Sequence, residues 1–323
     1  MAVLYDVPAP AKLNLFLHVV GRRPDGYHLL QTVFRFVDLC DSLDFESTAD
    51  GVLAREGEGL ASLPADQDLV LRAACALQRV TGARQGARIR YRKRIPAGGG
   101  LGGGSSDAAT TLIALNRLWG TGLTRAELMR LALPLGADVP VFVFGRAAFA
   151  QGIGEQLTAV DLPERTYWIV RPQAHVATAD VFRASDLTRN SRSVKITDFT
   201  EWQTGPRDRR AAGLFQSKKP LDEDGVLGCD GGAFFGRNDL EAVVFRQHPD
   251  IAALVQVMRG AGVEIRMTGS GSCLFAEFPD AARARMHRDQ IISKMEDPPD
   301  AAIQGSWICQ GLGDHPLLDW VDD

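Results

Sequence analysis

Six of the seven residues from Gly98 to Gly104 are glycine, and Ser105-Ser106 follow directly. Backbone N–H groups in such a run are unshielded by side chains and can converge on an anion. Pro96 ends the apolar stretch before it, and Ser105 or Ser106 can cap a helix running from about Ser106 to Trp119. The free N–H groups and about half a unit of positive charge at that helix start fall at the same place. The chemistry this arrangement suits is the holding of phosphate. It is not the G-x-x-x-x-G-K-[ST] loop, because Gly104 stands where lysine is required. Gly98-x-Gly100-x-x-Gly103 meets the dinucleotide spacing. That fingerprint also needs an acidic residue about twenty positions on, at the end of a second strand. Here the interval reads as helix followed by Thr121-Gly122.

A nucleoside triphosphate carries several negative charges, and a helix end offsets only about half of one. A lysine and a divalent cation such as Mg²⁺ must supply most of the remainder. Lys12 and Lys93 lie in segments that read as strands close to the loop. Ser105 or Ser106 could touch the metal. Asp107, in the first helical turn, must face away from bare phosphate or meet it through the ion. Asp138, between Gly136 and Pro140, has the character of a cap or turn residue and equally of a fixed general base.

The elements that would position these groups follow from periodicity. Ala11–Val19 alternates apolar and polar residues, which predicts a strand with Lys12 and Asn14 on one face and Leu13, Leu15 and Leu17 on the buried one. Arg23-Pro24-Asp25-Gly26 predicts a turn, and strands follow at Leu30–Phe36 and Ser42–Ser47. Asp66 or Asp68 can cap a helix that ends at Gly82, and Ala87–Ile95 reads as a strand. Thr124–Glu127 is a capping box, and Val139–Phe144 reads as a short buried strand. Beyond about residue 160, strands are expected at Tyr167–Arg171, Val263–Met267, Ser272–Phe278 and Ile303–Cys309. Helices are expected near 239–246, 250–260 and 281–295. Asn190–Arg237 lacks sustained periodicity and reads as a long, irregular, partly mobile loop. Mixed elements without a steady βαβ rhythm predict an α+β fold.

The 323 residues suffice for two domains, and 45% hydrophobic with 24% charged residues is a globular balance. A formal net charge of −4 gives no general attraction for nucleic acid or anionic membrane. No apolar run approaches bilayer-spanning length and no leader-like segment precedes Pro10, so a cytoplasmic location is expected. The five cysteines are scattered, without a C-x-x-C pair, and read as free thiols.

Pro10–Leu15, Gly26-Tyr27-His28, Pro96–Asp107, Gly136–Pro140 and Met267–Ser272 occur in that order, and together they resemble the GHMP kinase superfamily. Within it, the chain resembles the branch acting on a cytidine-diphosphate-linked alcohol in non-mevalonate isoprenoid precursor biosynthesis. The resemblance implies a two-domain α+β fold, an ATP-binding domain over 1–160 and a second domain over 161–323 that carries the irregular stretch near 190–237. The active site would lie in the cleft between them. It implies ATP as phosphoryl donor with Mg²⁺, a small-molecule substrate and no obligatory protein partner. Lys12 and Asp138 match the catalytic pair, with Asp138 taking the hydroxyl proton. Asn14 matches a residue that orients that hydroxyl. Pro96, Gly98, Gly99, Gly100, Leu101, Gly102, Gly103, Gly104, Ser105 and Ser106 match the ATP-phosphate loop, with Lys93 near adenine. Tyr27 and Phe182 would sandwich cytosine, His28 would hydrogen-bond its edge, and Thr178 would meet the diphosphate. Asp68 stands where the family commonly has an asparagine that reads adenine. A carboxylate there accepts but cannot donate. Another member of the superfamily, acting on homoserine or mevalonate, would keep the loop without needing Tyr27, His28 and Phe182. A nucleotide-binding regulator without catalysis would bind ATP and not consume it.

Overall fold

Two long strands, β1 (Val3–Arg22) and β2 (His28–Thr48), pair antiparallel across the Arg23–Gly26 turn and form the spine of the molecule. The computed structural model describes residues 2–56, 64–204, 235–294 and 303–323. The two strands expected at Leu30–Phe36 and Ser42–Ser47 are one continuous β2. From Ala11 to Val19 every residue of β1 is buried, on both faces. The expected solvated face is absent because glycine loops and helices cover it.

Around this spine lie β3 (Leu53–Glu56), β4 (Gly86–Arg92), β5 (Ala148–Gln151) and β6 (Gln156–Ala159). The second half adds β7 (Thr166–Pro172), β8 (Arg266–Met267), β9 (Leu274–Phe278) and β10 (Ile303–Leu312). Strand order along the sheet is β3-β4-β2-β10-β7-β9-β8, with β1 and β5 also on β2 and β6 on β5. β10 joins the two halves: Gly311 and Leu312 pair with Val37 and Phe36, and the rest of the strand pairs with β7.

Helix α1 (Leu69–Thr81) is capped by Asp68, whose carboxylate accepts from the Val70 and Leu71 N–H groups at 2.8 and 3.3 Å. Its Arg55 and Tyr91 partners complete the site, with the Tyr91 hydroxyl at 2.6 Å. Helix α2 (Gly103–Trp119) starts three residues earlier than expected, and α3 (Arg125–Ala132) opens with the Thr124–Glu127 capping box. Val139–Phe144 is not a strand but helix α4. Its Val139–Val143 run is buried all round, which erases any period, and Pro140 in its first turn suits a helix start.

Helix α5 (Thr178–Arg183) precedes α6 (Ile196–Thr204), and the latter corrects the irregular reading of residues 190–237. Phe199 of α6 stacks on Trp202 and packs against Phe16 and Phe235, so an aromatic cluster rather than amphipathic spacing fixes this helix. The rest of that expected loop, 205–234, lies outside the described residues. Helices α7 (Glu241–Gln247), α8 (Pro249–Gly260) and α9 (Ala281–Ile292) complete the second half. No helix among the described residues is long and apolar enough to cross a membrane, and Cys40, Cys75, Cys273 and Cys309 are free thiols.

One core lies between β1, β2, β4 and helices α1 to α4, and a second between β7, β9 and the helices of the second half. A third, containing Leu13, Phe16, Ile169 and Phe275, joins them. After β10 the chain returns to the first core. There Arg125 donates to the Val143 carbonyl at 3.0 Å and to the Leu318 and Val321 carbonyls at 2.8 Å. This clasp pins the end of α4 whose start carries Asp138.

Candidate active site

The polar residues of β1 turn into a cavity of roughly 340 Å³ instead of into water. Lys12 donates from Nζ to Asn14 Oδ1 at 2.6 Å, and Asn14 Nδ2 donates to the Thr32 hydroxyl at 3.0 Å. Thr32 in turn donates to the Phe16 carbonyl. Strand register shifts between Asn14 and Leu17, so that carbonyl sits at a bulge which the hydroxyl staples. Lys12, Asn14 and Thr32 are each at most 3% exposed, and a buried polar chain of this kind fixes its members' orientation. The Lys12 ammonium also lies 5.4 Å from the centre of the Phe34 ring.

The first glycine loop crosses directly over this network. Lys12 N–H donates to the Leu101 carbonyl at 3.0 Å, and Cys273 N–H donates to the Gly99 carbonyl at 3.2 Å. Gly100 has a φ of +75°, and a Cβ there would meet the Thr268 carbonyl oxygen at 2.3 Å. At Gly102, φ is +73° and a Cβ would press on Phe142 and on the Lys12 stem at 3.0–3.1 Å. Only glycine allows the loop this path. The second loop is tied to β1 through Thr268 Oγ1, which accepts from Asn14 N–H at 2.9 Å. Gly98, Gly100, Gly102, Ser105, Gly269 and Ser270 all line the cavity beside the start of the 17-residue α2. Unshielded backbone at a helix N-terminus fits the phosphates of a nucleotide.

Asp138 enters from the opposite wall. It is the N-cap residue of α4 but makes no side-chain cap bond, which leaves its carboxylate free for other partners. Oδ2 lies 3.2 Å from Lys12 Nζ, and the side chain is 37% exposed at the cavity. A lysine on one side and open space on the other is an arrangement in which a carboxylate can take a proton from a bound hydroxyl.

Lys93 does not line this cavity. Its Nζ bridges Asp41 Oδ2 and Asp107 Oδ2, each at 2.5 Å, beneath the start of α2. Burial raises the Asp107 carboxyl above the usual carboxylate range, and Lys93 draws it part of the way back. Asp107 is thus turned to Lys93 and is not among the residues that line the cavity. Asp41 Oδ1 accepts from the Arg94 and Ile95 N–H groups at 2.5 and 2.9 Å, so this buried cluster anchors the segment that leads into the glycine loop.

At the far end of the cavity, Thr178 and Phe182 of α5 form the wall, and the Thr178 and Ser270 hydroxyls lie 2.6 Å apart. The His28 ring sits beside Phe182, with centroids 5.0 Å apart. Tyr27 is 58% exposed, and neither it nor His28 is among the residues that line the cavity. His28 Nε2 accepts from Arg189 Nε at 3.1 Å. Burial, then Arg189, then Arg22 hold the His28 pKa below its ordinary value.

The structure thus brings Lys12, Asn14, Gly98, Gly100, Gly102, Ser105, Asp138, Thr178 and Phe182 to one cavity. Leu101 and Ser106 are buried, Gly103 and Gly104 form the first turn of α2, the Gly99 carbonyl ties the loop to Cys273, and Pro96 is half-buried before it. Sequence reasoning missed Thr32, Asp41 and Arg189. Each is an ordinary residue locally, and its significance lies in partners reached across strands or from another loop.

Residues 68–146 match the model of the GHMP kinases N terminal domain, and residues 229–297 match the GHMP kinases C terminal model. A 4-diphosphocytidyl-2-C-methyl-D-erythritol kinase of Bordetella parapertussis is 54% identical, over 98% of this chain and 99% of that protein. A kinase of the same name from Ralstonia nicotianae is 49% identical over 97% and 96%. A crystal structure of a 4-(cytidine 5'-diphospho)-2C-methyl-D-erythritol kinase superposes with a TM-score of 0.71 at 32% identity, covering 97% of this chain and all of that one.

Proposed function

The chain belongs to the GHMP kinase family, and from that premise we propose how its residues carry out the reaction of a 4-diphosphocytidyl-2-C-methyl-D-erythritol kinase. The enzyme transfers the terminal phosphoryl group of ATP to the 2-hydroxyl of 4-diphosphocytidyl-2-C-methyl-D-erythritol. The products are the 2-phosphate and ADP, in non-mevalonate isoprenoid precursor biosynthesis. The observation that carries the residue assignment is the Lys12–Asp138 pair, 3.2 Å apart at a cavity walled by two glycine loops.

In this reading Asp138 accepts the proton of the attacking hydroxyl. Lys12 pairs with that carboxylate at 3.2 Å and offsets charge on the transferring group. Asn14, already held by Lys12 and Thr32, orients the hydroxyl. The glycine loop and the start of α2 grip the ATP phosphates, and the domain division near residue 160 brackets the cleft. Mg²⁺ fits as an ion carried by the nucleotide, because among the described residues no group of three or more His, Cys, Asp or Glu side chains could hold a metal alone. When bound it would neutralise phosphate charge. Lys93 acts through the loop's foundation rather than by touching adenine, and Asp68 is committed to its cap, Arg55 and Tyr91. Tyr27, His28 and Phe182 receive the cytosine, and Thr178 the diphosphate. The cytoplasm, without a membrane, nucleic acid or obligatory protein partner, suits this chemistry.

ADP release measured by a coupled assay with ATP, Mg²⁺ and the cytidine-linked substrate tests the reading. Turnover that depends on the substrate supports it, and substrate-independent ATP hydrolysis or no turnover contradicts it.

A further inference from the structure

One side chain ties the α5 wall of the cavity to the His28 ring beside it. Arg189 Nε donates to His28 Nε2 at 3.1 Å, and Nη1 donates to the Leu187 carbonyl at 3.1 Å. Nη2 donates to the Phe182 and Ala184 carbonyls at 3.1 and 2.7 Å. Phe182 and Ala184 lie at the C-terminal end of α5, where helical carbonyls lack intrahelical donors and a cation is favoured. Four bonds from one rigid guanidinium therefore set the Phe182 end of α5 against the first residue of β2.

The bond to His28 also has a chemical consequence. A guanidinium is always a donor, so Nε2 must present its lone pair and the imidazole proton must sit on Nδ1. Nδ1 makes no hydrogen bond to the protein among the described residues, and the ring is packed beside Phe182. Its N–H is thus the polar group left for a ligand. An N–H donor placed against ring N3 suits cytosine, where N3 accepts, better than uracil, where N3 carries a proton.

We propose that Arg189 is the positioning residue of the nucleobase end: it fixes His28 as an Nδ1–H donor, locks that ring to the Phe182 wall, and so sets the preference for a cytidine-linked substrate. The proposal rests on the reading of this cavity as a cytidine-diphosphate alcohol kinase site. Arg189 touches neither the phosphates nor the reacting hydroxyl, so its effect falls on binding rather than on the chemical step.

Arg189→Ala and Arg189→Lys are compared with the wild type by steady-state kinetics, by calorimetric binding of cytidine 5'-diphosphate and uridine 5'-diphosphate, and by ¹⁵N–¹H NMR of the histidine rings. For Arg189→Ala, KM for the cytidine-linked substrate should rise about tenfold, the scale of one lost charged hydrogen bond. The kcat and the KM for ATP should stay within about twofold, as expected when only uniform binding is lost. The cytidine-over-uridine preference should shrink, and the His28 proton should move from Nδ1 toward Nε2. Lysine retains one donor, so Arg189→Lys should restore the Nδ1–H tautomer and part of the affinity. An Nε2–H tautomer in the wild type, an unchanged KM, or a fall in kcat with KM unmoved would overturn the assignment. If the wild type fails to phosphorylate the cytidine-linked alcohol, the functional reading falls by itself. The tautomer and the cytidine 5'-diphosphate affinity of the variants then decide the role of Arg189 independently.

Discussion

The two ends of the cavity are built in opposite ways. At the phosphate end, Lys12, Asn14 and Thr32 are buried, bonded to one another, and carried on the central strand pair. The loop above them is held by backbone bonds from Lys12 and Cys273. At the end where we propose that the base binds, Tyr27 is 58% exposed, and Arg189 bonds both the His28 ring and the Phe182 carbonyl. A phosphoryl-transfer step is sensitive to small displacements of the reacting groups, and rigid burial supplies that constancy. Recognition of a flat base tolerates more movement and must let the ligand in and out. The difference predicts that substitutions at the first end act on kcat, on folding or on ATP binding, and those at the second on the KM of the cytidine-linked substrate.

The largest expected effect is at Asp138. Asp138→Asn should lower kcat by about 10²–10⁴, the usual contribution of a general base. ATP affinity, measured by calorimetry, should hardly change. Normal turnover would remove Asp138 from the mechanism and with it the contrast between the ends.

Next comes the glycine loop. Gly100→Ala places a Cβ against the Thr268 carbonyl at a positive φ, so stability should fall by about 1–2 kcal/mol. KM for ATP should rise while KM for the cytidine-linked substrate changes little. Thermal melting and kinetics check both, and an unaffected ATP KM would show that the loop does not contact the nucleotide.

Tyr27→Ala should raise the KM of the cytidine-linked substrate about five- to tenfold, in line with roughly 1 kcal/mol for aromatic stacking, and leave kcat within about twofold. A loss in kcat instead would mean that Tyr27 reaches the chemical step.

The smallest effect concerns pH. Because burial, Arg189 and Arg22 depress the His28 pKa, the ring gains its proton at a lower pH than an ordinary histidine does. The substrate KM should therefore be flat from about pH 8 to 7, above the ordinary histidine pKa of about 6.5. It should rise only at lower pH, as Nε2 gains a proton and the Arg189 bond is lost. A KM already doubled at pH 6.5 would indicate an unshifted histidine.

What the sequence made legible follows the same division. The glycine loop, the helix after it, the alternation of β1 and the Thr124 capping box are local patterns, and each was recovered as expected, β1 with a second covered face. Asp138 was visible, but its support was not. The apolar run after it has no period, so a buried helix resembled a strand, and the Arg125 clasp that pins that helix depends on carbonyls nearly two hundred residues away. The charge of Lys93 was visible, but its two buried carboxylate partners were not, because neither is adjacent to it in sequence. Helix α6 was hidden because its register is set by Phe16 and Phe235, whose contacts appear only once the sheet has formed.

The central claim is that one cavity joins a rigid transfer site to a separate base-reading site. The most direct test compares kcat/KM for the complete cytidine-linked substrate and for its methylerythritol phosphate fragment, in the wild type and in Tyr27→Ala. The account predicts that the wild type strongly prefers the complete substrate and that Tyr27→Ala weakens only its use, leaving the fragment's slow turnover unchanged. Equal use of both substrates by the wild type would contradict it.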